Sequence, residues 1–439
     1  MHTTTRIIRG IMLMTLFAAI TLPLRVGADD LKTAEPGVAV GHPWYELNMM
    51  ADPILDQALL FYLSHTWQHS SDIGECLSTA SRVDPNDPYS WSHEWTAEAD
   101  RLSALADSCL RRGHEISAGE ALQRAADYYS AALHRYPEPT DPQVRELAAK
   151  NVDAFKRAMK LQHMSVDIVA IPYENTTLPG YFFRSPYAPD KGPVLIVHQG
   201  RDGWAQHCVY IAEAAMKRGY HCLLFDGPGQ GQTLRLQGLP FRYDWENVIT
   251  PVVNYVLSRP DVDPGRVGLM GLSMGGALAP RAAAFEKRLK VCVADPGVLS
   301  WREIFYGFFD SFDPSLNGLW RRDPEAFDQQ MWELAGRIPF IDWGIKDSMW
   351  KHGVKTPSKL MAAMEPYTNE AIISEITCRV LVMDGTVDDF SQGRQFYDAL
   401  SCPKDYLLFT DEDAGLQHCQ VGAPGISSAR LFDWLEENL

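Results

Sequence analysis

An α/β fold, with a mainly parallel sheet and helices on both of its faces, is what this sequence predicts, and three observations carry the prediction. Short, unbroken apolar runs such as PVLIVHQ, HCLLFDG, RVGLMGLS, KVCVADPG and CRVLVMDG alternate with helix-period segments. Strands apolar throughout belong to sheets buried on both faces, and the helices between them supply the crossovers that parallel strands need. A long helical stretch precedes the first strand, and a helix-rich aromatic segment interrupts the alternation late in the chain. The composition suits such a fold: 439 residues, 46% hydrophobic and 22% charged, can build one large core and a second, smaller body.

Residues 1–28 read as a signal peptide. Arg6 and Arg9 precede the apolar run IMLMTLFAAITLPL, which contains Pro23, is short for a membrane span and ends near the small residues Val26 and Ala28. A secreted or periplasmic protein is therefore expected, with an uncleaved anchor as the alternative. Residues 29–163 form a predicted N-terminal helical region. Here DPILDQALLFYLSHTW, WTAEADRLSALADSCLRRG, SAGEALQRAADYYSAALHRYP and DPQVRELAAKNVDAFKRAMKLQ repeat apolar residues at spacings of three and four, with Asp141-Pro142 and Ser117 at cap or first-turn positions.

At Ser165 the period becomes two, and SVDIVAIPYENTTLPGYFFRSP predicts two strands about a polar turn. The first part of the α/β core then covers 164–299. Residues 300–376 form a predicted helical cap carrying five of the twelve tryptophans, which points to an apolar cavity beneath it as well as to the cap's own core. Residues 377–439 return to strand and helix, closing on SARLFDWLEENL. In such sheets ligands bind beyond the carboxyl ends of the strands, so the strand-end residues matter most.

The net charge of −16 argues against nucleic acid and anionic membrane surfaces as partners and suits solubility; a small-molecule substrate is the expected partner. The eight cysteines show neither a CxxC nor a Cys/His spacing suited to zinc, so no metal is expected. Their pairing stays open; Cys76 and Cys109, in one helical region, are the one pair singled out.

The chemistry centres on Gly271-Leu272-Ser273-Met274-Gly275, a GxSxG placed directly after a buried strand and directly before a helix pattern. A sharp strand-to-helix turn lifts a serine oxygen clear of the backbone, and the amide of Met274 at the helix start can bind a developing oxyanion. A serine at its ordinary pKa is a poor nucleophile, so an acid and a histidine must follow in that order. His418, the only histidine after His352, is the expected base. The strand CRVLVMDG leads to Asp384, Asp388 and Asp389; Asp388 lies far enough into the loop to reach the imidazole, whereas Asp295, after the preceding strand, is a weaker alternative. The second oxyanion amide should come from the loop after PVLIVHQ, and Arg201, beside Gly200, is the expected donor. FDGPGQGQT matches neither GxGxxG nor GxxxxGK[ST], and no helix pattern follows it, so it reads as a structural turn.

With these motifs in hand, the sequence resembles the α/β-hydrolases. Within them it is similar to the fungal polyketide-shortening hydrolases of the yellowish-green pigment type and to bacterial 2,6-dihydroxypseudooxynicotine hydrolase. The phrases DGTVDDF, LSCPKDYLLFTDEDAGLQHCQVGA and HGVKTPSKLMAAMEPYTNEAIISEITCRVLV carry this closer match, and it spans most of residues 45–439. The resemblance implies Ser273 as nucleophile, Asp388 as acid and His418 as base. It also implies cleavage of an ester, or of a carbon–carbon bond beside a ketone, in an aromatic or polyketide-like substrate. Cofactors are not called for, and a homodimer is compatible with the group. Two departures stand out: Asp389 occupies the place of a histidine in the group's acid motif, and a signal peptide is unlike the mostly intracellular relatives. Two other readings compete. A peptidase of the dipeptidyl or acylaminoacyl kind would ordinarily carry a β-propeller where this chain has helices, and a non-catalytic binding protein would ordinarily have lost part of the triad.

Overall fold

The structure, a computed structural model, describes residues 43–439; the signal segment 1–28 and the start of the N-terminal region lie outside the described residues. Among the described residues five α-helices come first: α1 (Pro53–Ser64), α2 (Ile73–Ala80), α3 (Ser90–Arg111), α4 (Glu115–Ala132) and α5 (Pro142–Leu161). Asp52, Asp72 and Asp141 cap α1, α2 and α5, accepting from the amides of Ile54, Gly74 and Gln143 at 2.9, 2.9 and 2.8 Å. Pro53 and Pro142 follow in the first turn, where a missing N–H costs nothing. The two-turn α2 has no counterpart among the predicted segments. Its IGECLSTA is too short to show a period, and burial of Cys76 and Ala80 stabilises it. α4 packs between α3 and α5 and is buried almost all round, which accounts for its alanine-rich sequence.

Eight strands follow: β1 (Val166–Tyr173), β2 (Thr176–Phe183), β3 (Gly192–His198), β4 (His221–Phe225), β5 (Val262–Leu272), β6 (Val291–Asp295), β7 (Arg379–Gly385) and β8 (Lys404–Phe409). They lie in the order β1-β2-β4-β3-β5-β6-β7-β8. β1 pairs antiparallel with β2 and β2 with β4, while every other pair is parallel. Between the strands run α6 (Val209–Lys217), α7 (Gly231–Gln237), α8 (Glu246–Leu257) and α9 (Gly275–Phe285). The cap then supplies α10 (Trp301–Phe312), α11 (Leu319–Arg322), α12 (Pro324–Ala335), α13 (Pro339–Lys351) and α14 (Pro357–Met364). α15 (Gly393–Ala399) and α16 (Pro424–Asn438) complete the chain.

The period-two alternation of strand side chains sorts the core into two halves. Leu195, Val197, Cys222 and Leu224 face one side with α6, α16 and the N-terminal helices. Val194, Ile196, Leu223 and Phe225 face the other with α8, α9 and the cap. The N-terminal region and the cap are thus continuous with opposite faces of one sheet. A buried polar seam joins the N-terminal helices to the segment after β3: His65 Nδ1 lies 2.9 Å from Asp127 Oδ1, Ser130 Oγ 2.8 Å from His207 Nε2, and the Tyr210 amide donates to Gln68 Oε1 at 2.8 Å. All eight cysteines are free thiols, Cys76 and Cys109 among them.

Candidate active site

β5 ends at Leu272 and α9 begins at Gly275, so Ser273 sits in the turn between them with φ +60°. A left-handed backbone at a residue with a Cβ costs about 1 kcal/mol or more and persists only where surroundings enforce it. Two features enforce it here. The Ser273 amide donates to the Asp295 carbonyl at 2.6 Å. A Cβ at Gly271 would meet the Gly275 carbonyl oxygen at 2.1 Å, so only glycine lets the strand and helix close this tightly.

The loops after β7 and β8 bring the other two residues to the serine. His418 Nε2 lies 2.9 Å from Ser273 Oγ, and His418 Nδ1 lies 2.9 Å from both carboxylate oxygens of Asp388. A carboxylate only accepts, so Nδ1 carries the proton and Nε2 is left to accept from the serine hydroxyl. Asp388 is buried, and the Phe390 amide donates to its Oδ1 at 2.9 Å. Burial disfavours a charged imidazole, but the Asp388 carboxylate outweighs it and holds His418 well above its ordinary value.

The neighbouring aspartates do other things. Asp384, still at the end of β7, takes the Tyr406 hydroxyl, and Asp389 is exposed. Asp295, the weaker alternative acid, accepts from Gln420 Nε2 at 3.0 Å. Its backbone carbonyl takes the Cys419 thiol at 3.2 Å. Cys419 and Gln420 are both left-handed, with φ of 49° and 51°. Asp295 is therefore the anchor of the His418 loop. Burial pushes its carboxyl up to about 7 and the Cys419 thiol up to about 11. No sequence signal marks the pair Cys419-Gln420 beyond adjacency to His418.

The loop after β3 touches the serine turn at Gly200. A Cβ there would lie 2.6 Å from the Met274 amide nitrogen and 2.7 Å from Ser273 Cβ. Gln230 Nε2 donates to the carbonyls of Gln199 and Gly200. A trans peptide points its N–H opposite to its C=O, so the Arg201 amide faces away from Gln230. Neither the Met274 nor the Arg201 N–H donates to a backbone partner among the described residues.

Gln230 belongs to the FDGPGQG turn, whose role is structural as expected, but α7 does begin at the last residue of that turn, Gly231. Asp226 organises the turn, accepting from the amides of Ala205 and Gln232 at 2.8 and 3.0 Å. These backbone bonds replace the apolar period that ordinarily announces a helix.

Aromatic rings flank the imidazole. The Phe390 ring centroid is 5.1 Å from that of His418, and Trp301, the first residue of α10, stacks on Phe390 at 6.2 Å. A cleft of about 490 Å³ between cap and core is lined by Tyr173, Phe241, Arg242, His352 and Tyr367, and by none of Ser273, Asp388 and His418.

This strand order and this serine turn define a hydrolase built on an α/β sheet. The chain belongs to the alpha/beta hydrolase family, which matches residues 194–424; an esterase family described as FrsA-like also matches residues 86–301. Hydrolase LUC6 from a Fusarium species is 33% identical over 394 residues, covering 84% of this chain and 92% of the relative. The 20-hydroxy-prefusarin hydrolase FUS2 of Gibberella moniliformis is 30% identical over 391 residues, covering 83% and 92%. Among solved structures, 2,6-dihydroxy-pseudo-oxynicotine hydrolase superposes with a TM-score of 0.66 at 19% identity, covering 86% of this chain and 95% of the other. The chain is a hydrolytic enzyme with the fold those structures share.

Proposed function

We propose that this enzyme is a serine hydrolase that cleaves a carbonyl-linked bond, an ester or a ketone carbon–carbon bond, in a small aromatic or polyketide-like substrate. The observation that carries the reading is the unbroken hydrogen-bonded line from strained Ser273 through His418 to buried Asp388, 2.9 Å at each step. His418 Nε2 takes the serine proton as Oγ attacks the carbonyl, and the amides of Met274 and Arg201 hold the oxyanion. Collapse of the tetrahedral adduct breaks the bond to the leaving group, which receives its proton from Nε2. Water then attacks the acyl-serine with His418 again as base, releasing the acid and restoring Ser273. Aromatic substrate character is supported by Phe390 and Trp301 beside the imidazole, and by two similar proteins whose names denote hydrolysis of small organic molecules. Secretion rests on the sequence pattern of residues 1–28.

The reading is tested by labelling with a fluorophosphonate and by turnover of aryl esters against aryl β-diketones. Labelling at Ser273 and hydrolysis of one class are expected; a folded protein that neither labels nor turns over either class refutes it. A further expectation concerns the loop beside the serine. Gly200→Ala would place a methyl against backbone atoms that cannot yield, displacing the oxyanion amides. kcat for an aryl ester should fall about 100-fold, the cost of one lost oxyanion donor. A folded Gly200→Ala enzyme with unchanged kcat would remove this loop from the oxyanion site.

A further inference from the structure

The loop carrying the proposed oxyanion amide is tied to the cap by charged side chains that the reaction itself does not use. Arg201 reaches up from the loop, its guanidinium donating to Asp347 Oδ2 at 2.5 Å and to Ser348 Oγ at 2.8 Å. Asp202, the next residue, takes the ammonium of Lys351 and also lies 3.1 Å from Arg201. Lys351 closes the ring on Asp347 at 2.9 Å, one helical turn away on α13. The cap side of this ring is deeply placed: Lys351 is 2% exposed and Asp347 7%. A third cation reinforces the junction, because the Arg235 guanidinium lies between Trp204, just beyond the loop, and Trp350 of α13, at 4.8 and 5.7 Å from their rings.

Buried ion pairs are a weak device for stability, because desolvating the charges offsets most of their attraction. Their distinctive property is geometric: a planar guanidinium and a carboxylate accept only a narrow range of separations and angles. Arg201 is held from two directions, its side chain by α13 and the carbonyl before its amide by Gln230. The peptide N–H between these fixed points has little freedom left.

We infer that helix α13 of the cap sets the position of the Arg201 amide, through the ring Arg201, Asp347, Lys351 and Asp202, so that Asp347 and Lys351 are positioning residues for the chemical step. This rests on the serine-hydrolase reading above. The cap is then a working part of the oxyanion site as well as a roof, and the site is complete only when α13 is seated on the loop.

The test uses the full-length enzyme, an aryl ester and an aryl trifluoromethyl ketone, which forms a tetrahedral oxyanion adduct with an activated serine. Asp347→Asn should lower kcat about 100-fold and weaken ketone inhibition by a similar factor, while KM changes less than about threefold. Ser348→Ala, a milder cut that removes the second acceptor of the Arg201 guanidinium, should lower both quantities about threefold, and Lys351→Arg, which keeps the charge, should retain most of the wild-type kcat. Thermal unfolding checks that each variant is folded, and the Ser348→Ala measurement decides should Asp347→Asn fail to fold. Wild-type enzyme that labels with fluorophosphonate, together with folded Asp347→Asn and Ser348→Ala variants unchanged in kcat and ketone affinity, would overturn the inference alone. Loss of kcat matched by an equal rise in KM would also overturn it, since that marks substrate binding instead of oxyanion geometry. Wild-type enzyme that does not label would overturn the serine reading and the inference with it.

Discussion

Ser273→Ala is expected to remove turnover of every substrate the enzyme hydrolyses, with kcat falling about 10⁶-fold, as when a triad serine is deleted elsewhere. The size follows from the site. Among the described residues Oγ is the only hydroxyl within hydrogen-bond reach of His418 Nε2, and the Cys419 thiol, 3.7 Å from the same nitrogen, donates to the Asp295 carbonyl. The fold should be untouched, because the amide of residue 273 still donates to the Asp295 carbonyl and alanine fits wherever serine did. Ser273→Gly separates chemistry from strain. It should be equally inactive, yet more stable than Ser273→Ala by about 1 kcal/mol, because glycine adopts φ +60° without a Cβ penalty. Steady-state turnover and thermal unfolding of the pair measure both effects. An alanine variant with more than a trace of wild-type activity would show that another group is the nucleophile.

Asp388→Asn carries the second largest expected effect, about 10⁴-fold in kcat, with the fold again intact. An amide at this position can offer its NH₂ to Nδ1 and so stabilise the tautomer whose Nε2 is protonated, the wrong one for taking the Ser273 proton. The pH profile gives an independent readout. Catalysis needs neutral His418, so kcat/KM should rise with pH through the imidazole's ionisation. In the wild type that limb should lie well above the ordinary histidine value, because the neighbouring carboxylate favours the charged form. With the carboxylate replaced, its upward pull is lost and only the smaller influence of Cys419 is left to oppose burial, so the limb should move to lower pH. A limb that stayed put would detach Asp388 from His418.

Much of this was legible in the residues. Unbroken apolar runs identified the parallel strands, because a strand covered on both faces leaves polar side chains few positions, here mostly the strand ends. GLSMG between a strand and a helix pattern located the serine, and chain order led to His418, which had no competitor. Asp388 was separable from Asp384 and Asp389 by distance from the strand end, and the structure pairs Asp388 with the imidazole while Asp384 takes Tyr406. α2 and α7 were not legible, being too short to show a period; capping by Asp72 and backbone bonds to Asp226 specify them instead.

The contacts that join distant parts of the chain had no local signature. Asp295 lies 125 residues from Gln420, and Arg201 lies 146 residues from Asp347. Periodicity and turn chemistry act over a few residues, so the sequence alone was enough to determine the strands, most helices, the serine turn and the chain order of Ser273, Asp388 and His418. Only the tertiary structure decided that Asp295 anchors the His418 loop, that Gln230 turns the Arg201 peptide, and that the cap grips that loop through Asp347 and Lys351. An aspartate or lysine pairs with whichever opposite charge folding brings within hydrogen-bond reach, and that distance is a property of the whole packed chain.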